Sequence, residues 1–442
     1  MNLTKRLKGQ AIAAWLGPTG DAARRAIAKV KQAPARVDFY HDPSDALSYL
    51  AAQALDRLVK TYNVDFEVIA VSPPASDVNP EPAMRVANAA RDAIELAQYW
   101  DIEFPGKKTP DPNVVKKAGA ILSRKRSAPD QLAAVLQSCD AMWRNDQKLL
   151  FAATGRWGNE SQVSTDPTLN AGYARLRKAG HYYGGAFNYR GQWYMGIDRL
   201  HYLEAAIAAD LGRSVVGVLT RRTESAPQLL SKQPLTAEMW FSFRSPYSYL
   251  ALLRIEATLG AGIPLRLRPI APMVQRGAQL VPAKRSYILL DAAREAARQG
   301  VEFGNICDPL GKGIDHCLGI AKWADSRSPA DAMAFAQSAM RGIWSEGRDM
   351  ADYVDLRFVV ERAGLPWDEA KNAALDTKAM SWATEAASDL AVFGLWGVPS
   401  VKIGDLTVWG QDRLDLVQWR IARHKAALAA AADAPADTVS EG

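Results

Sequence analysis

The chain has 442 residues, of which 48% are apolar and 23% charged, a balance that fits a globular protein of two or three domains. Its formal charge of +6 is small for this length, and basic residues alternate with acidic ones outside Lys116-Lys117 and Arg124-Lys125-Arg126, so nucleic acid is not an expected partner. Cys139, Cys307 and Cys317 form neither a C-x-x-C pair nor a metal-spaced cluster. This excludes a redox dithiol, a disulfide framework and a zinc site, and favours a reducing, cytoplasmic compartment.

At the N-terminus, Lys5, Arg6 and Lys8 precede Ala11-Ile12-Ala13-Ala14-Trp15-Leu16, an apolar stretch too short for a secretory signal and soon followed by Asp21, Arg24 and Arg25. Leu3 to Lys31 reads as an amphipathic helical extension. No apolar run approaches the roughly 20 residues of a membrane-spanning helix. Residues 1–35 are assigned to this extension, 36–211 to a first domain and 212–235 to a linker holding Thr223, Ser225, Pro227, Ser231 and Pro234. A second domain takes 236–426, and the alanine-rich, then acidic stretch 427–442 is expected to fray into disorder.

The two domains repeat each other. Asp45-Ala46-Leu47-Ser48-Tyr49-Leu50-Ala51 answers Ser245-Pro246-Tyr247-Ser248-Tyr249-Leu250-Ala251 at an offset of about 200. Gly196-Ile197-Asp198-Arg199-Leu200 answers Gly410-Gln411-Asp412-Arg413-Leu414, and Ile102-Glu103-Phe104 answers Val301-Glu302-Phe303. A period of that size indicates two whole domains in tandem. In the second copy, Glu238 to Phe243 is an expected strand, Ser245 to Leu259 a helix and Pro264 to Arg268 a strand. Helices are expected over Ala283 to Gln299, with i,i+3 pairs Asp291/Arg294 and Glu295/Arg298, over Asp331 to Ser345 and over Ala370 to Ala391. Ser400 to Ile403 and Leu406 to Trp409 flank the turn Gly404-Asp405 as a hairpin, followed by a closing helix from Asp412 to Ala432. The order βαβ, helical insertion, ββα is that of a thioredoxin fold with an inserted helical subdomain. The fold class is therefore α/β, two tandem thioredoxin-like domains.

Ser245-Pro246 supplies an N-cap hydroxyl and the residue best suited to the first helical position. Unpaired N–H groups, the positive end of the helix dipole and a serine hydroxyl would together stabilise a thiolate. The chain offers no cysteine there, so the sulfur would come from a ligand. In the first copy Asp45 takes the place of Ser245, where an anion would repel a thiolate, and Gly184-Gly185 replaces Val398-Pro399. That copy reads as a structural partner, or as an altered site using Tyr182 and Tyr183.

Phe243 to Leu250, Val281-Pro282-Ala283-Lys284-Arg285-Ser286-Tyr287, Gly394 to Ser400 and Trp409 to Leu414, in this order, make the second copy resemble the kappa-class glutathione transferase and 2-hydroxychromene-2-carboxylate isomerase family, a DsbA-like branch of the thioredoxin superfamily. The resemblance implies glutathione as cofactor. Ser245 would approach its sulfur, the backbone of Val398, before a cis Pro399, would pair with its cysteinyl part, Asp412 with Gln411 beside it would take the γ-glutamyl ammonium, and Lys284 the glycyl carboxylate. It further implies addition of the thiolate to an unsaturated or aromatic-derived electrophile, as isomerase or transferase, and an intrachain pseudo-dimer in place of a two-fold dimer, with further self-association left open. The segment between Pro269 and Lys284 is short for this family and lacks its asparagine, offering Gln275 and Arg276 instead.

Each residue also has a plainer role: Ser245 as a cap, Pro399 as architecture, Asp412 with Arg413 as a helix-start ion pair, and His316 as a structural histidine rather than a general base. A non-catalytic ligand-binding or assembly protein is the alternative function. A thiol–disulfide oxidoreductase ranks below it, because Ser245 and Ser248 stand where its cysteines would be.

Overall fold

The computed structural model describes residues 3–30, 35–222, 226–277 and 280–432. Two four-stranded sheets organise them. The first is built from β1 (Arg36–His41), β2 (Asp65–Ala70), β3 (Ala186–Tyr189) and β4 (Gln192–Met195), in the order β2-β1-β3-β4. The second is built from β5 (Ala237–Phe241), β6 (Leu265–Pro269), β7 (Ser400–Ile403) and β8 (Leu406–Trp409), in the order β6-β5-β7-β8. In each sheet the first two strands run parallel and the other neighbours antiparallel. The central strands are the most apolar because both of their faces are covered: Val37 and Phe39 of β1, and Met239 and Trp240 of β5, are wholly buried.

Helices fill the gap between the second and third strand of each sheet, five from Pro82–Tyr99 to Gln162–Ala179 and six from Pro282–Gln299 to Ala379–Val392. Proline at the first turn, as at Pro82, Pro112, Pro282 and Pro329, starts several of them where the missing N–H costs nothing.

Several boundaries depart from the sequence reading. The expected helix from Ser245 to Leu259 is two short ones, Pro246–Leu252 and Ile255–Leu259, because Arg254 leaves the first to reach Gln411 (3.3 Å) and Asp415. The expected helix over 370–391 breaks between Trp367–Ala373 and Ala379–Val392, where Asp376 turns back to accept from the Lys378 N–H (2.8 Å) and binds Lys322 (2.7 Å). The N-terminal extension is likewise two helices, Leu3–Leu16 and Pro18–Val30, split at Pro18. The closing helix, Leu414–Ala432, includes residues 427–432 of the expected tail, and 433–442 lie outside the described residues.

The two halves are locked together by reciprocal contacts. Arg413, from the second half, binds Asp92 (2.7 Å) and Asp198 (2.7 Å) of the first. Arg199, from the first half, binds Asp291 (2.7 Å) and Asp412 (2.7 Å) of the second. Tyr99 enters the second half's core edge-on to Trp419, with ring centroids 5.7 Å apart. The expected i,i+3 pairs do form, but Asp291 and Glu295 are buried between the halves rather than exposed. The linker is not a free tether. Glu204 accepts from the N–H groups of Val216, Gly217 and Val218 at its start, and Leu230 is buried near its end, with its N–H on His424 (3.1 Å). Among the described residues no helix is long and apolar enough to cross a membrane.

Candidate functional site

β5 ends at Phe241 and the chain turns so that Ser245 caps Pro246–Leu252, its Oγ accepting from the Ser248 N–H at 3.2 Å. That helix is only seven residues long, so its dipole is smaller than a helix reaching Leu259 would give. Hydroxyls therefore carry more of any stabilisation of an anion here. Ser242, three residues earlier, is buried with an Oγ that has no hydrogen-bond partner among the described residues. Such a group is costly unless something satisfies it.

The Val398-Pro399 peptide is cis, the only one among the described residues. Pro399 C=O accepts from the Gly410 N–H (2.8 Å), while the N–H and C=O of Val398 have no hydrogen bond among the described residues and precede the pairing of β7. This leaves an open backbone edge of the kind that accepts an added strand. Gly397 permits the geometry: a Cβ there would lie 2.3 Å from the Trp409 ring.

Asp412 lies in the single turn Gln411–Arg413 that follows β8. Burial pushes its carboxyl up to about 6, against the pull of Arg199, yet 23% of its side chain remains accessible. Gln411 is placed differently from the expectation. Its amide is held in the interior by Glu295 (2.9 Å), Gln299 (3.0 Å) and Arg254, so it braces the site from behind. Arg199 is held between Asp291, Asp412 and Glu295. Although burial favours its neutral form, these three anions keep it charged. Burial opposes ionisation of Asp291 too, but Arg199 and Arg294 hold it well below the usual carboxylate range, and Tyr247 donates to it at 2.7 Å.

Lys284 also departs from its expected setting. Its ammonium donates to Val78 C=O in the first half (3.1 Å) and lies against the rings of Tyr182 and Tyr183, 5.6 and 5.7 Å from their centroids. Arg285, next to it, is the exposed cation on this edge. Arg276 is used structurally, capping the carbonyls of Ala271 and Trp396. His316 is bonded to Met350 C=O (2.9 Å), stacks on Tyr353 and does not line the cavity described below.

The counterpart in the first half is chemically different. Asp45 caps its helix by accepting from the Leu47 N–H (3.0 Å), and its charge is matched by buried Arg85 at 2.7 Å, which also reaches Asp42 at 3.2 Å. Gly184 presses so close that a Cβ would sit 2.6 Å from that of Asp42, and Gly185 has φ of 71°.

One cavity of about 550 Å³ joins these features. Ser245, Lys284, Val398, Pro399, Gln411 and Asp412 all line it, and so do Asp45, Arg85, Tyr182, Tyr183, Asp198 and Arg199 from the first half. Ile12 of the N-terminal helix completes the wall. The sequence reading missed Arg85 and Asp92, and took Asp291 only as the helix partner of Arg294. The signal was available, since Arg85 and Arg285, and Asp92 and Asp291, stand at the same offset of about 200 as the caps.

Residues 236–422 match the model of the DSBA-like thioredoxin domain, so the second half carries a DsbA-like thioredoxin fold. The chain is similar to the 2-hydroxychromene-2-carboxylate isomerase of Sphingobium xenophagum, 27% identical over 193 residues that cover 41% of this chain and 96% of that protein. Among solved structures, a 2-hydroxychromene-2-carboxylate isomerase is 22% identical with a TM-score of 0.38, covering 45% of this chain and 100% of its own. The cytosolic disulfide reductase DsbM from Pseudomonas aeruginosa is 15% identical with a TM-score of 0.33, covering 45% and 100%.

Proposed function

We propose that the second half binds glutathione in the shared cavity and uses its thiolate to attack an unsaturated or aromatic-derived electrophile, the first half completing the cavity as a built-in pseudo-dimer partner. The observation that carries this is the meeting, in one cavity, of a serine hydroxyl, an open backbone edge and an accessible carboxylate. The tripeptide's sulfur, its cysteinyl backbone and its ammonium need those groups in turn. The Ser245 hydroxyl donates to the sulfur, with unpartnered Ser242 beside it; Val398 pairs with the cysteinyl backbone; Asp412 receives the γ-glutamyl ammonium. We assign the glycyl carboxylate to exposed Arg285 rather than to its neighbour Lys284, whose ammonium faces Tyr182 and Tyr183.

The thiolate forms a C–S bond to the electrophilic carbon. Expulsion of the thiolate after bond rotation gives an isomer; retention of the bond gives a conjugate. The likeness to an isomerase supports the first outcome. A millimolar thiol is maintained in the cytoplasm, where we place the protein. The first half, with Asp45 neutralised by Arg85, supports binding without thiolate chemistry on its own side. The test is a screen of hydroxychromene-type and conjugated enone compounds with glutathione: saturable, thiol-dependent turnover is expected, and its absence across the panel would favour the non-catalytic binding role.

The Asp412 carboxyl gives this reading a pH signature. Its proton must leave before it can pair with an ammonium, and burial raises its titration to about 6. Glutathione affinity is therefore expected to be weak below that pH, to rise through it and to level off above. Calorimetric titration across the range checks this, and Asp412→Asn should flatten the profile at the weak limit. Affinity independent of pH across that window would rule out the Asp412 contact.

A further inference from the structure

Lys284 stands apart from the other buried charges. The buried arginines where the halves meet sit between carboxylates: Arg85 with Asp42 and Asp45, Arg199 with Asp291 and Asp412, Arg413 with Asp92 and Asp198, and Arg420 with Glu95 and Asp405. Lys284 is 9% exposed, lines the cavity and has no ion pair among the described residues. Its one hydrogen-bond acceptor is Val78 C=O, and that same carbonyl accepts from the Tyr183 hydroxyl at 2.9 Å. The amine and a phenol therefore meet at one atom, on the wall of an open space of about 550 Å³.

We propose that Lys284 is a nucleophile that forms a reversible imine with aldehyde or ketone ligands entering this cavity. The neutral amine adds to the carbonyl carbon, making a C–N bond, while the carbonyl oxygen takes up a proton to become a hydroxyl. That hydroxyl then leaves as water and a C=N bond remains, so one water is released and nothing is oxidised or reduced. The Tyr183 hydroxyl is placed to pass a proton. Tyr182 and Tyr183 give the carbonyl compound an aromatic wall, which favours an aryl-substituted or conjugated one.

The electrostatics agree with this geometry. The groups around the ammonium are Tyr182 and Tyr183 ahead of β3, Asp77 on the loop after β2, and Tyr287 on its own helix in the same buried cluster, with Arg85 of Pro82–Tyr99 across the Tyr183 ring. Asp77 is bound by Arg177 at 2.8 Å and only weakly offsets the burial, which brings Lys284 down to about 8. At neutral pH about a tenth of such an amine is uncharged, against roughly one in a few thousand for an ordinary lysine.

This inference stands without glutathione, and its test contains none. The full chain is incubated with 4-phenyl-3-buten-2-one and sodium borohydride, which delivers hydride to the imine carbon and fixes it as a secondary amine. Peptide mapping by mass is expected to place the adduct on Lys284, formed on the order of 10²-fold faster than on any surface lysine at neutral pH. The advantage should shrink as pH rises through about 10, where surface lysines deprotonate. Lys284→Arg, which keeps the charge and a donor to Val78, should lose the adduct while melting like the parent; Lys284→Met provides a second variant. The wild-type map is decisive by itself: no adduct at Lys284, or one formed no faster than on surface lysines, overturns the proposal.

Discussion

Arg199→Met is expected to destabilise the protein by about 3–5 kcal/mol, the cost of removing one partner from a buried ionic cluster. The magnitude follows from what would be left behind. Asp291 and Glu295 are almost wholly buried, and Asp412 is partly so, each within reach of the Arg199 guanidinium. Arg294 and Arg298 would still pair with Asp291 and Glu295, but from the edge of the interface. Methionine fills a similar volume and offers no charge, so the carboxylates lose solvation without compensation. Arg199→Lys keeps a charge but not the planar fork that serves Asp291 and Asp412 together, and should lie between the two. Urea unfolding at neutral pH measures both. A loss below about 1 kcal/mol for Arg199→Met would be typical of an exposed pair and would mean that the halves are not packed as described.

Ser245→Asp is expected to abolish thiol-dependent turnover while leaving the fold intact. Asp45 demonstrates the fold half of this expectation, since aspartate caps the equivalent helix by accepting from the Leu47 N–H at 3.0 Å. The substituted residue would therefore keep the helix start. It would also set a carboxylate against the sulfur, without a buried equivalent of Arg85, because Arg285 is exposed. Like charges at that distance raise the thiol's pKa and remove the nucleophile. Ser245→Ala is the gentler case: a lost hydroxyl donor costs on the order of 10²-fold in rate, and the lost cap about 1 kcal/mol in stability. Turnover together with the ultraviolet absorbance of bound thiolate separates the effects, since a cap defect alone leaves the thiolate signal unchanged. Full activity in Ser245→Asp would remove Ser245 from the mechanism.

Local signals were readable in the chain. The Ser245-Pro246 cap, the hairpin on Gly404-Asp405 and the strand–helix units of the second half each depend on neighbours a few residues away. Side-chain directions set by residues distant in the chain were not readable. Gln411 turns inward because Glu295, more than a hundred positions earlier in the same half, accepts from its amide, and Lys284 turns toward Val78, more than two hundred positions earlier in the other half. Asp45 looked like an uncompensated anion because its partner, Arg85, comes from a helix forty residues on. Helix ends were misjudged where a tertiary contact overrode propensity, as when Arg254 leaves its helix for Asp415. The composition of 212–235 marks a linker, and Glu204 pins its start with a single carboxylate.

Calorimetric titration of the full chain with glutathione at neutral pH, alongside Asp412→Asn, is the most direct test of the shared cavity as a glutathione site. One saturable binding event is expected for the parent chain, with a marked loss of affinity in Asp412→Asn. No binding by the parent chain at millimolar glutathione, or equal binding by both proteins, would contradict it.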